Sequence, residues 1–192
     1  MSTIEISTNA MIQGHPEWLE LRRWKITSSD AAVILGVNPW KTVGQLLEDK
    51  LRGTLIEKNA AMQRGSDLEE PARETFVMKS KIYVHPAVVI SNEHAWMMTS
   101  LDGLSDCKKK AVEIKCPGEK THRKAIKGQI PGYYYAQCQH HIATAQLDEL
   151  YYFSFLDFFD TCTIRVHRDN QYIKRMIEAE QEFYNLLMDH KE

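Results

Sequence analysis

Apolar residues recur at three- and four-residue spacing through the first part of the chain, alternate one by one in the middle, and then trade the two periods to the end. Pro16 opens an amphipathic run, EWLELRRW, and Ser28-Ser29-Asp30 is placed to cap AAVIL before Gly36 stops it. Val43 to Leu51 repeats the helical spacing. A longer helix is predicted in RGSDLEEPARETFVMKS, with Ser66 or Asp67 as N-cap, Pro71 in the first turn and Leu68, Ala72 and Phe76 on one face. Glu69 then sits at its start. The period changes to two in IYVHPAVVIS, AWMMTSLDGLSD and AVEIKCP, which read as consecutive strands broken at Asp-Gly and Pro. Beyond a basic loop, Gly132 precedes a helical YYYAQCQHHIATA, then ELYYFSFL and TCTIRVH return to strand, and a helix runs from about Asn170 to Met188. That order predicts an α/β (α+β) domain with a central mixed sheet flanked by helices. No repeat and no Pro/Gly/Ser-rich linker interrupts it, so residues 1–192 are read as a single domain.

The composition, 43% hydrophobic and 26% charged over 192 residues, is that of a globular domain with a real core. No apolar run approaches a membrane span, and MSTIEISTNAMIQGHPEW lacks the basic flank and apolar stretch of a leader, so a cytoplasmic protein with no membrane partner is expected. Cys107, Cys116, Cys138 and Cys162 form no CxxC pair and are read as reduced thiols. A net charge of -2 taken alone argues against a nucleic-acid partner, but its distribution reverses the argument. From Cys107 to Lys127, eight basic residues stand against Glu113 and Glu119: Lys108, Lys109, Lys110, Lys115, Lys120, Arg123, Lys124 and Lys127. Lys108, Lys109, Lys110, Lys120, Arg123 and Lys124 are the candidate contacts to duplex phosphates.

Candidate chemistry concentrates in LDGLSDCKKKAVEIKCP. Asp102 ends one strand at an Asp-Gly turn, and alternation puts Glu113 and Lys115 of the next strand on one face with Ile114 turned into the core. With Asp102 beside that strand, two carboxylates and an ammonium converge. Hard oxygen donors of this kind suit Mg²⁺ or Mn²⁺, which polarise a phosphodiester and activate water, while a neighbouring lysine orients or deprotonates the nucleophile. The bare spacing is also that of a turn residue and a solvent-facing ion pair. What favours chemistry is a polar face interrupting an otherwise apolar strand.

At these residues the sequence resembles the λ-exonuclease/YqaJ-like group of phage recombination nucleases, within the PD-(D/E)xK restriction-endonuclease-like superfamily. The likeness runs in order from Trp18 to about Phe155 through LRRWKITSSDAAVILG, RGSDLEEPARE, SLDG with VEIKCP, and YYYAQCQHHI. It implies a restriction-endonuclease-like core in which Asp102, Glu113 and the Ile114 main-chain carbonyl ligate two metal ions, with Lys115 as the catalytic lysine. Glu69 would hold the second metal or position the attacking water, Gln137 would orient a water or phosphate, and Arg22 with Ser29 would take a terminal 5′-phosphate. The resemblance further implies a 5′-to-3′ exonuclease that degrades linear double-stranded DNA to mononucleotides, a ring-shaped homotrimer, and a single-strand annealing protein as partner. Leu101 replaces the proline of the PD dipeptide, and His85 stands where a relative carries a further acidic residue.

The remaining candidates are weaker. His140-His141 are adjacent helix positions about 100° apart, so one is expected at the surface and the other packed rather than both on a metal. Tyr133 to Tyr135, Tyr151-Tyr152, Trp24 and Trp40 offer stacking surfaces for bases or a DNA end, yet core packing accounts for such spacings as well. A nicking or structure-specific endonuclease of the same superfamily, and a non-catalytic DNA-end-binding protein, remain as alternatives.

Overall fold

The computed structural model describes residues 5–6, 16–54 and 59–191, with backbone alone for 5–6; the opening stretch read for a leader falls largely outside them. Within the described residues the strands are β1 (Glu5–Ile6), β2 (Ile26–Thr27), β3 (His85–Ile90), β4 (Met97–Leu104), β5 (Ala111–Lys115), β6 (Glu149–Phe155) and β7 (Thr161–His167). The helices are α1 (Pro16–Arg23), α2 (Ser28–Ile34), α3 (Val43–Arg52), α4 (Ala60–Ser80), α5 (Glu119–Ile126), α6 (Gly132–Thr144) and α7 (Asn170–Asp189). One sheet runs β1-β3-β4-β5-β6-β7 with β2 beside β4. β2–β4 and β5–β6 are parallel and the other neighbours antiparallel, so the sheet is mixed. A parallel β5–β6 pair needs a crossover, and α5 and α6 supply it.

Alternation along each strand sorts side chains to two faces. One face carries Ala87, Val89, Met97, Leu101, Ala111, Leu150 and Tyr152 against Ile142 of α6 and Ile173, Met176 and Phe183 of α7. On the other, Val112, Ile114, Phe153 and Phe155 pack on Ala72 and Phe76 of α4, while Trp18 of α1 meets Val88 and Met98. Among the described residues no helix is long and apolar enough to cross a membrane.

Several local expectations are corrected. The long helix begins at Ala60, not at Ser66 or Asp67, with Asn59 Oδ1 accepting the Met62 N–H at 2.9 Å. Pro71 therefore lies inside the helix, and Glu69 sits well along it rather than at its start. An interior proline costs roughly 3 kcal/mol, which burial of Ala72 and Phe76 beside it offsets. The cap of α2 is Thr27, not the Ser-Ser-Asp run, and Asp30 closes the box by accepting the Thr27 N–H at 2.9 Å.

Asp102-Gly103 is not a turn. Both residues lie inside β4. Between the pairs His85↔Leu104 and Ala87↔Leu101, β3 advances two residues and β4 three, so β4 carries an extra residue at Asp102-Gly103. A bulge of this kind switches the alternation and re-aims a side chain. Hence Leu101 and Leu104, three apart, face the same core. Gly103 is required there because a Cβ would stand 2.7 Å from Val112 Cγ1 and from Val84 Cγ2. Gly103→Ala is expected to lower stability by about 1–3 kcal/mol through overpacking, readable as a lower urea midpoint at unchanged slope; an unshifted midpoint would show that the bulge tolerates a methyl.

Candidate active site

The site grows out of a gap in strand pairing. β3 occupies one edge of β4, so the other edge is shared, with β2 paired at Met97–Met98 and β5 only at Gly103–Leu104. Between those pairings β4 and β5 splay apart. Asp102 spans the opening, where its Oδ2 accepts the Ile114 N–H at 2.7 Å. On β5, Ile114 packs into the small core while Glu113 and Lys115 share the opposite face as an ion pair, as alternation requires.

Glu113 is only 1% exposed, so this is no solvent-facing pair. Its Oε2 lies 2.8 Å from His141 Nε2 on α6, and neither carboxylate oxygen meets hydrogen-bond geometry although both are buried. Burial alone would raise the Glu113 pKa, but the Lys115 ammonium and His141 overcome it and hold the carboxyl down at about 2. Asp102 goes the other way, since burial and the Glu113 carboxylate push it well above its usual range. Lys115 is opposed by burial, yet Glu113 and Asp102 raise its pKa and keep it an ammonium.

α4 brings the third carboxylate. Arg73 donates from Nη2 to Glu69 Oε1 and from Nε to the Asp102 main-chain oxygen, both at 2.6 Å, which ties the acidic helix to the bulge. The spacing Glu69–Arg73 is the ordinary i,i+4 pairing, so the signal for Arg73 was present in the sequence. From α6, Tyr134 presents its ring 5.1 Å from Lys115 Nζ. Gln137 is half-buried and, three residues after Tyr134 and four before His141, falls on the same helix face as both.

His140 and His141 depart from expectation because both are fully buried. α6 lies between the β4 gap and α7, so neighbouring positions each find interior partners. His140 joins Glu180 at 2.8 Å and the Met98 carbonyl at 3.1 Å; burial opposes its charge, but Glu180 prevails and the pKa is raised. His141 reaches Thr99 Oγ1 through Nδ1, and burial lowers its pKa.

Arg22 and Ser29 stand together, with Arg22 Nη2 donating to Ser29 Oγ at 3.0 Å. The guanidinium lies 4.4 Å from the Trp18 ring centre, and Trp18 Nε1 donates to Ser100 Oγ at 3.2 Å. Ser100 is two residues before Asp102, roughly 7 Å along a strand, so this pair flanks the carboxylates. Arg23 is otherwise engaged, donating from Nε to the Lys50 carbonyl at 2.8 Å and from Nη2 to the Leu51 carbonyl at the end of α3. Beneath Arg22, Lys50 donates to the carbonyls of Arg22 at 3.0 Å and Lys25 at 2.8 Å, and pairs with Asp30 at 2.8 Å.

The basic stretch is not one loop. Lys108, Lys109 and Lys110 occupy the exposed connection before β5, whereas Lys120, Arg123 and Lys124 lie on exposed positions of α5 beyond its other end. Arg123 is partly neutralised by Asp160 at 2.8 Å and Glu119 at 3.4 Å. Lys110 and Lys115 are separated by about 17 Å of strand, so the structure gathers only the α5 group near the Lys115 end. His85 pairs with Asp106 at 3.3 Å. Trp40 is 71% exposed and meets Tyr133 edge-on, and Trp24 donates to Glu20 at 2.8 Å. All four cysteines are free thiols. A groove of about 620 Å³ lined by Ile130, Tyr135, Arg165 and Asn170 lies elsewhere.

Among the described residues no three carboxylate, imidazole or thiol groups stand together as a ready cage for an ion. The donors nonetheless fit a hard divalent cation: Glu113 offers two buried oxygens that face Lys115 and His141 but meet hydrogen-bond geometry with neither, and Glu69 stands close enough to Asp102 to help raise its pKa. Mg²⁺ is commonly held by one or two carboxylates, retained waters and substrate phosphates, so a complete protein cage is not required.

A mixed sheet bearing Asp102, Glu113 and Lys115, with an acidic helix against it, defines a restriction-endonuclease-like core. Residues 17–148 match the YqaJ-like viral recombinase domain, and the chain belongs to that family. Uncharacterized protein YqaJ of Bacillus subtilis (strain 168) is 27% identical over 175 residues, covering 88% of this chain; the chain spans 55% of that relative's length. The crystal structure of an alkaline exonuclease, LHK-Exo, from Laribacter hongkongensis superposes with a TM-score of 0.77 at 28% identity, covering 91% of this chain and 93% of that one. The same exonuclease in complex with dAMP gives 0.78 at 27% identity over the same shares of the two chains. A phage-related exonuclease from Haemophilus somnus 129PT shares the fold at a TM-score of 0.66 and 17% identity, over 91% of this chain and 100% of that one.

Proposed function

We propose that the chain is a Mg²⁺-dependent deoxyribonuclease that degrades linear double-stranded DNA from 5′ ends to mononucleotides in phage-type recombination. The observation that carries this reading is the meeting of Asp102, Glu113 and Lys115 at the gap between β4 and β5, with Glu69 tied to it through Arg73. The likeness to an alkaline exonuclease that binds dAMP, a mononucleotide, supports it. A ring-shaped homotrimer and a single-strand annealing partner belong to the same proposal.

Asp102, Glu113, the Ile114 carbonyl and Glu69 would hold Mg²⁺ or Mn²⁺, which when bound supplies a Lewis acid for the phosphodiester and a more acidic water. Lys115 holds positive charge beside the developing phosphorane. Gln137 orients the water or a phosphate oxygen from α6. Arg22 grips a terminal 5′-phosphate with Ser29 adding a hydroxyl, because a guanidinium matches phosphate bidentately and this one is paired with hydroxyls rather than a carboxylate. Lys120 and Lys124 approach the duplex backbone, as do Lys108, Lys109, Lys110 and Arg123 at greater distance or with less free charge.

Digestion of 5′-phosphorylated, 5′-hydroxyl and circular duplexes, with and without Mg²⁺, tests the reading. Metal-dependent loss of linear DNA with circles spared is expected. Cut circles would indicate an endonuclease instead, and tight end binding without digestion a non-catalytic protein. Arg22→Ala should reduce the preference for 5′-phosphorylated over 5′-hydroxyl ends by about tenfold or more, the worth of one charge-assisted contact. Arg23→Ala should leave that preference intact, and loss of preference in Arg23→Ala alone would sink the assignment.

A further inference from the structure

Thr99, His141 and Glu113 form a buried chain from β4 through α6 to β5. All three are at most 1% exposed, and no part of the chain depends on a surface side chain. Thr99 Oγ1 contacts His141 Nδ1, and the other ring nitrogen lies 2.8 Å from Glu113 Oε2. Thr99 alternates with Met97 and Leu101 on the face of β4 that packs against α6, so its hydroxyl points toward that helix. When the Thr99 hydroxyl donates to Nδ1, the ring proton is placed on Nε2, the nitrogen facing Glu113. The imidazole thus backs one carboxylate oxygen while Lys115 meets the other.

We infer that Thr99 and His141 are positioning residues that set the orientation of the Glu113 carboxylate for a divalent cation. The inference rests on the proposed role of Glu113 as a metal ligand. A carboxylate free to rotate between its two ion partners would offer its lone pairs in no fixed direction, whereas one held from behind by an oriented imidazole is preorganised. Neither residue touches the substrate in this scheme. His141 acts through Glu113, and Thr99 acts through His141.

Calorimetric titration of the metal-free chain with Mn²⁺ tests this, using wild type, His141→Leu, His141→Gln, Thr99→Val and Thr99→Ser, with a thermal melt of each. Outer partners of metal ligands contribute about 10- to 100-fold in affinity. His141→Leu should weaken Mn²⁺ binding by that factor, and His141→Gln, which keeps an N–H donor, by less. Thr99→Val should weaken binding in the same direction, and Thr99→Ser should restore it. Should His141→Leu fail to fold, the Thr99 pair decides, because Val and Ser differ in the hydroxyl that orients the ring. Folded variants with unchanged Mn²⁺ affinity would overturn the inference, as would equal losses in Thr99→Ser and Thr99→Val. Failure of wild type itself to bind Mn²⁺ would overturn the metal assignment of Glu113 instead, so the two readings fail separately.

Discussion

Asp102→Asn should lower metal-dependent DNA cleavage by on the order of 10³-fold or more while the chain stays folded. A metal-bound ligand charge is worth several kcal/mol in the transition state, and each ~1.4 kcal/mol is a factor of ten. The fold should survive because the substitution keeps an oxygen that can accept the Ile114 N–H and removes a charge that Glu113 and Glu69 repel. In the absence of metal the melting temperature should therefore stay level or rise. Glu113→Gln should lose activity to a similar extent, but Glu113→Ala is a poorer test. Lys115 would be left without its ion partner in a largely buried position, and breaking a buried pair costs about 3–5 kcal/mol. Single-turnover rates at saturating Mg²⁺, set beside thermal melts without metal, separate the two effects. Near wild-type cleavage by folded Asp102→Asn would show that the metal centre lies elsewhere.

The second large effect concerns stability. Lys50→Ala should cost about 3–5 kcal/mol, because it strands the Asp30 carboxylate in the interior. Lys50 is 7% exposed and Asp30 8%. Burial would raise the Asp30 pKa, but Lys50, followed by Arg22, more than compensates and holds it below its ordinary value. A depressed carboxyl contributes stability above its unfolded pKa of about 3.9 and loses it as pH falls through the folded value. Without Lys50, burial dominates and protonation of Asp30 relieves strain rather than adding it. The stability gap between wild type and Lys50→Ala, measured by urea unfolding, should accordingly narrow as pH drops from 7 toward 4. A gap that is small at pH 7, or constant across that range, would show the pair to be solvated. Since Lys50 also holds the Arg22 carbonyl, surviving Lys50→Ala protein should show a weaker preference for 5′-phosphorylated ends.

How far the chain could be read without its structure differs from residue to residue. Glu113, Ile114 and Lys115 were legible because a strand's period of two is rigid, so one charged face in an apolar run identifies itself. β6 and β7, α3 and α7 were legible for the same reason, their periodicity being strong and the helix ends marked by capping residues or Gly. Asp102 was expected beside β5, where it lies, but was read as a turn. Asp-Gly favours hairpin turns and bulges alike, and only the close approach of Val84 and Val112 selects the bulge. Pro71 misled in the same manner, since its position in the first turn or the interior of α4 depends on packing against β5 and β6 rather than on local propensity.

Sequence alone determined the longer elements and their order, the mixed layered class and the pair of strands that carry the acidic and basic residues, because each is written in local periodicity or in the order of recognisable blocks. The two-residue β1 and β2 and the short α5, which was read as part of a basic loop, are too brief to show a period. Tertiary structure decided the rest. It shared the open edge of β4 between β2 and β5, tied Glu69 to Asp102 through Arg73, buried both histidines of α6, gave Arg23 to the end of α3 and left Arg22 beside Ser29. These are contacts between residues far apart in the chain. Their outcome depends on which groups burial forces to find partners, a condition that no local pattern encodes.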